Sequence, residues 1–198
     1  MTKYRLGFLA SGGGSNMQAI IDNCNNEILP CKPAVVISNN SKSGALQKAQ
    51  LQNIPFYHLS SVHFQDFEQL DFEITKKLKE HNVDYVILAG YMKKIGLNLL
   101  NAFPNRVLNI HPALLPKFGG EGMYGMNVHR AVIDAGEKYS GATVHYVDNE
   151  YDRGEIILQG RVEIEALDTP ETLAEKVLKI EHSLYSSALQ KIFSAKFE

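Results

Sequence analysis

Asn109-Ile110-His111-Pro112 places an amide and an imidazole two residues apart, the spacing at which side chains along a strand point the same way. Pro112 holds His111 out of the helical region. The pair suits acyl transfer with no covalent enzyme intermediate. When an amine attacks a carbonyl carbon, negative charge gathers on the oxygen. An amide N–H from Asn109 and a protonated His111 would stabilise that charge, and the imidazole could then pass a proton to the departing nitrogen. A neutral ring does this poorly, so a nearby carboxylate should keep it charged. Asp152 stands in the polar run Asn149-Glu150-Tyr151-Asp152-Arg153-Gly154-Glu155, but Asp148, Glu150 and Glu155 are equally available by spacing. A histidine at a strand end also often serves structure alone, and both readings stay open at this point.

Ser11-Gly12-Gly13-Gly14-Ser15-Asn16 is the second chemical feature. Glycines let the chain turn tightly and let a ligand approach backbone N–H groups, and a following helix start adds unpaired donors and partial positive charge. A phosphate monoester fits such a loop; a merely flexible turn is the alternative. A dinucleotide fingerprint would need glycine where Met17 stands and an acid about twenty residues on, where Ile37-Ser38-Asn39-Asn40 offers none. The nucleotide P-loop needs Gly-Lys-Ser/Thr, and no Gly-Lys pair follows. The chain has no serine nucleophile elbow and no HExxH, and its seven histidines do not pair at metal-ligand spacings, so neither a serine nucleophile nor a metal is expected.

The elements that must position these residues alternate as apolar strands and helical stretches. That order predicts an α/β fold, a mostly parallel, mixed central sheet with helices on both faces. Strands are expected at Tyr4–Ala10, Ala34–Ser38, Pro55–Leu59, Asp84–Gly90 and Arg106–Ile110. Helices are expected at Ser15–Asn25, Gly44–Leu51 and His63–His81, the last with Phe67, Leu70, Ile74 and Leu78 on one stripe. Ala142–Val147 and Ile156–Glu165 read as neighbouring antiparallel strands. A closing helix runs from Pro170 to about Ile192, capped by Thr169, with a core stripe of Leu173, Val177, Ile180, Leu184, Ala188 and Ile192. Ligands of open α/β sheets bind beyond the carboxyl ends of strands, where the glycine loop, the Gly90 segment and the residues after Ile110 all fall.

With 198 residues, 44% of them hydrophobic, and no linker or repeat, one domain spanning 1–198 is expected. Lysine and arginine number 20 against 22 acidic residues, a net charge of −2. That balance gives no bulk attraction to nucleic acid or membrane. Cys24 and Cys31, with six residues between them, read as two reduced thiols. The N-terminus reads as a strand with no signal-peptide pattern, so a cytoplasmic protein is expected.

Taken together, Ser11-Gly-Gly-Gly-Ser-Asn-Met-Gln-Ala-Ile20, Leu88-Ala-Gly-Tyr-Met92, Leu108-Asn-Ile-His-Pro-Ala-Leu-Leu-Pro116, Gly141-Ala-Thr-Val-His145, Tyr151-Asp-Arg-Gly154 and Glu181-His182 resemble the phosphoribosylglycinamide formyltransferases, the folate-dependent formyltransferases of purine synthesis. The resemblance covers nearly the whole chain. It implies transfer of a formyl group from 10-formyltetrahydrofolate, a co-substrate, to the glycinamide amine, without metal or ATP. It also implies roles. Asn109, His111 and Asp152 form the catalytic set, with Asp152 supporting a protonated His111. Gly14, Ser15 and Asn16 hold the substrate phosphate and Glu181 reaches its ribose. Met92, Lys93, Lys94 and Ile95, with Asn109 and the loop Asp148–Asp152, hold the folate. Thr143 and His145 line the site. The partners implied are small molecules, with no nucleic acid or membrane, and the protein is expected as a monomer or homodimer.

This sequence departs from the family on the folate side. No arginine occurs between Leu51 and Asn105, Phe67 falls near the position where one is common, and Lys93 replaces another. The run from Lys117 to Val128 is longer than in many relatives and rich in glycine; a water-excluding lid and a permissive surface loop both fit it. Two related activities are alternatives. A formyltetrahydrofolate hydrolase would use the same trio on water, though such enzymes carry an added regulatory domain. A methionyl-tRNA formyltransferase continues into an RNA-binding domain. A non-catalytic phosphosugar-binding protein is the alternative of a different class, and retention of all three catalytic residues argues against it.

Overall fold

The computed structural model describes residues 4–194. Its strands, β1 (Tyr4–Ala10), β2 (Cys31–Ser38), β3 (Phe56–His58), β4 (Tyr85–Leu88), β5 (Val107–His111), β6 (Tyr139–Tyr146) and β7 (Ile156–Glu163), are ordered β3-β2-β1-β4-β5-β6-β7, and the chain divides into two compact units between Leu108 and Asn109. The first unit holds β1 (Tyr4–Ala10), α1 (Ser15–Asn25), β2 (Cys31–Ser38), α2 (Gly44–Leu51), β3 (Phe56–His58), α3 (Phe67–Glu80), β4 (Tyr85–Leu88) and α4 (Leu97–Ala102). β1 pairs in parallel with both β2 and β4, and β2 with β3. All four residues of β4 are buried, as expected of a strand covered on both faces. The division falls within β5 (Val107–His111).

The second unit holds the end of β5, then α5 (Met126–Asp134), β6 (Tyr139–Tyr146), β7 (Ile156–Glu163) and α6 (Pro170–Ser194). β6 and β7 are antiparallel, so the sheet is mixed. Thr169 opens α6 by accepting from Leu173 N through its carbonyl at 2.9 Å and from Thr172 N through its hydroxyl at 3.3 Å. Helix α6 packs on β6, β7 and α5. Leu173, Val177, Leu184, Ala188 and Ile192 are buried, whereas Ile180 lies at the edge of that stripe.

Several boundaries differ from the sequence-based expectation. The third helix begins at Phe67, because Asp66 caps it by accepting from Gln69 N at 2.8 Å. Ser61–His63 is a separate 3₁₀ turn, and Phe67 is exposed rather than in the core. β2 starts at Cys31, ahead of Pro33. The register of β1 against β2 shifts between Leu6 and Gly7 there, and a bulge is where a strand tolerates proline. β6 starts at Tyr139, three residues early, and β7 ends at Glu163. Helices α4 and α5 were not expected. Among the described residues, no helix is long and apolar enough to cross a membrane.

Candidate active site

In the first unit, the loops after β1 and β4 meet where the strand order reverses, the place at which open α/β sheets bind ligands. Ser11 ties them. Its N–H donates to Gly90 O at 3.0 Å, its hydroxyl accepts from Met92 N at 2.8 Å, and the same hydroxyl donates to Asn39 Oδ1 at 2.6 Å. The glycine run therefore starts from a fixed point. Gly14 caps α1 at φ 70°, a left-handed conformation that a β-carbon would strain. Ser15 and Asn16 are the first residues of α1, the end of a helix whose partial positive charge favours an anion. Lys48, on α2, donates from Nζ to Gly13 O at 2.7 Å and so places an ammonium beside the same loop. Its position could not be read from sequence spacing.

Met92, Lys93, Lys94 and Ile95 form the segment between β4 and α4. Lys93, Lys94 and Ile95 line a cavity of about 230 Å³ together with Phe67, Leu70 and Tyr91. Phe67 thus borders this cavity, and the cations in its lining are the two lysines. Burial, and then the charge of Asp71, push the Tyr91 hydroxyl up to about 12, so it stays a neutral hydrogen-bonding group.

In the second unit, Asp152 is the carboxylate that the fold selects. Asp148, Glu150 and Glu155 are exposed, and Asp148 accepts from Glu150 N at 2.9 Å in a local turn. Asp152 takes φ 55° and turns inward. Its Oδ2 lies 3.4 Å from His111 Nδ1 and accepts from Gly120 N at 3.0 Å. Its Oδ1 lies 3.5 Å from both Asn109 Nδ2 and His145 Nε2. Asn109 Nδ2 is 3.2 Å from His145 Nε2. His145 Nδ1 faces the Tyr146 carbonyl at 2.8 Å and donates to it. In the neutral ring Nε2 therefore accepts from Asn109, while in the charged ring it turns donor towards Asp152.

His111 has an oxygen at each ring nitrogen, Asp152 at Nδ1 and the Phe118 carbonyl 2.7 Å from Nε2. That arrangement satisfies an imidazolium, which donates twice. Burial acts the other way and is larger, so the His111 pKa lies below its ordinary value despite Asp152 and Phe118. The Asp152 carboxyl is held below its usual range. Burial would raise it, but the His145 bond, the His111 charge and the Gly120 N–H together prevail. The glycine-rich loop therefore bonds the trio directly, through Phe118 and Gly120.

Thr143 braces the turn after β5. It donates to Ala113 O at 2.7 Å and accepts from Leu115 N at 3.1 Å and Gln159 Nε2 at 2.9 Å. Glu181 is buried in α6. His145 enters the network more fully than sequence reading gave it. Its alternation with Thr143 along β6 is the signal that could have placed both on one face.

The formyl transferase family model matches residues 4–189. The chain is 42% identical over 184 residues to the chloroplastic phosphoribosylglycinamide formyltransferase of Arabidopsis thaliana, covering 92% of this chain and 63% of that protein. It is 34% identical over 183 residues to phosphoribosylglycinamide formyltransferase of Bacillus subtilis (strain 168), covering 92% of this chain and 91% of that one. Among solved structures, phosphoribosylglycinamide formyltransferase from Bacillus halodurans superposes with a TM-score of 0.90 at 38% identity, covering 96% of this chain and 95% of that chain.

Proposed function

Because the chain belongs to the formyl transferase family, we propose that it moves the formyl group of 10-formyltetrahydrofolate to the amine of 5'-phosphoribosylglycinamide, a step of de novo purine biosynthesis. The observation that carries this reading is one ionised carboxylate, Asp152, meeting both His111 and Asn109. The acceptor amine attacks the formyl carbon, and a tetrahedral intermediate forms with charge on its oxygen. An N–H of Asn109 and the Nε2–H of a protonated His111, once released from the Phe118 carbonyl, stabilise that oxygen. Collapse breaks the carbon–nitrogen bond to the folate, and the proton released by the amine reaches the departing nitrogen through His111. Asp152 opposes the burial that drives His111 to its neutral form. Gly14, Ser15 and Asn16 hold the acceptor's phosphate and Glu181 reaches its ribose. Met92, Lys93, Lys94 and Ile95 hold the donor together with Asn109 and Asp148. The reading takes residues 1–198 as one formyltransferase domain in a cytoplasmic monomer or homodimer acting on small molecules. No step calls for metal or ATP.

The test follows loss of the formyl-folate with and without glycinamide ribonucleotide. Loss that requires the amine, with formylglycinamide ribonucleotide formed in equal amount, is the expected result. Loss indifferent to the amine makes the protein a hydrolase, and no loss at all makes it a binding protein.

A further inference from the structure

Asp71 of α3 is an acid with 4% of its surface exposed, and the trio does not use it. Buried carboxylates are uncommon unless their oxygens are satisfied. Here both oxygens face one turn: Oδ1 accepts from Gly96 N at 3.2 Å, and Oδ2 accepts from Asn98 N at 2.8 Å and from Leu99 N at 3.4 Å. Three backbone donors at the start of α4, a helix of six residues, thus converge on one side chain from another helix. Gly96 contributes by its size. A β-carbon there would lie 2.2 Å from the Asp71 carboxyl carbon, so only glycine admits the acid at this range. Immediately before this turn stand Lys93, Lys94 and Ile95, which line the same cavity as Asp71, Tyr91 and Leu99.

We infer that Asp71 is a positioning residue for the formyl donor, fixing the segment Met92–Ile95 by anchoring the turn that follows it. The inference rests on the proposed function, in which that segment meets the folate. A short helix with its first N–H groups unpaired is marginal by itself. The carboxylate supplies a charged acceptor for several of those groups, and such bonds are the stronger kind. Removing the charge frees the turn and the segment before it. The acceptor's phosphate loop meets this segment through the bond from Met92 N to Ser11 Oγ, but Ser11 is also held by Gly90 O and Asn39 Oδ1, so the loop should feel the loss less than the segment does.

Asp71→Asn tests this with the full chain and steady-state kinetics in both substrates. The asparagine keeps the shape, but its NH₂ cannot accept, so at least one N–H of the turn loses its partner. The expected result is a donor KM raised about tenfold, with kcat and the acceptor KM within a factor of about three. Gly96→Ala disturbs the same contact from the turn's side and should give the same selective change; it is the variant to read if Asp71→Asn does not fold. A variant that loses thermal stability yet keeps the wild-type donor KM overturns the inference, as does a rise in both KM values together. Failure of both variants to fold also overturns it, because Asp71 is then a requirement of the fold rather than of donor placement. If the wild-type protein itself transfers no formyl group, the proposed function fails instead.

Discussion

Asp152→Asn separates charge from shape at the centre of the trio. The carboxylate lies 3.4 Å from His111 Nδ1, and at an effective dielectric near 20 that separation corresponds to about 5 kcal/mol of attraction for a charged ring. Partial solvent access at Asp152 cuts into this figure. About 3 to 4 kcal/mol of transition-state stabilisation is therefore at stake, a loss of roughly two to three decades in kcat. The Asn109 and His145 contacts at Oδ1 tolerate an amide oxygen, so the KM values should change little. The assay is formyl transfer with both substrates saturating, backed by a thermal melt to confirm folding. Titration of the His111 ring followed by NMR gives a second readout. Asp152 raises the His111 pKa against the larger effect of burial, so the variant's ring should titrate lower still. A folded variant that keeps kcat within about tenfold, or a ring that titrates unchanged, refutes the assignment of Asp152 as the group that charges His111.

Lys48→Ala removes the ammonium held 2.7 Å from Gly13 O and should raise the acceptor KM about fivefold while kcat holds; an unchanged acceptor KM leaves the lysine a surface residue. Thermal stability should fall as pH drops below 6.5. Burial lowers the pKa of both His111 and His129 from that value, so the unfolded chain takes up protons that the folded chain refuses until the pH reaches the folded pKa values. His129→Gln should flatten part of that fall, and a melting profile identical to wild type between about pH 7.5 and 5.5 contradicts the burial argument.

Where structure is local, the sequence was enough. Tyr4–Ala10, Ser15–Asn25 and Gly44–Leu51 are found as expected, because each has its own periodicity, a glycine stop or a capping residue. α4 has no such signal, since its cap is Asp71, some 25 residues back along the chain. α5 follows Gly125 at φ 54°, and the glycine-rich run ahead of it masks a nine-residue helix whose buried face is only Val128, His129 and Val132. Asn109 and His111 could be paired from strand alternation alone. Asp152 could not be chosen from four acids by spacing, because its selection rests on a left-handed turn and on partners 32 to 43 residues away.

That choice also bears on the glycine-rich loop, for which a lid and a surface loop were both open. Asp152 Oδ2 serves two partners at once, the His111 ring and the Gly120 N–H, while Phe118 O holds the other ring nitrogen. The position of the loop and the charge on His111 are therefore linked through the same atoms. When the loop is bonded, its carbonyl raises the pKa of His111, and its amide helps keep Asp152 ionised. A loop that moved away would remove both effects and expose the ring to water, whose better solvation of the charged form works in the opposite sense. The net shift on opening is the balance of these opposed effects. Burial is the largest cause of the present shift, so the ring becomes easier to protonate on opening only where the loop itself supplies more of that burial than Phe118 and Gly120 offset. In the proposed mechanism Asp152 would then let a site covered by the loop still hold an acid, which would give its charge, rather than its shape, the larger part.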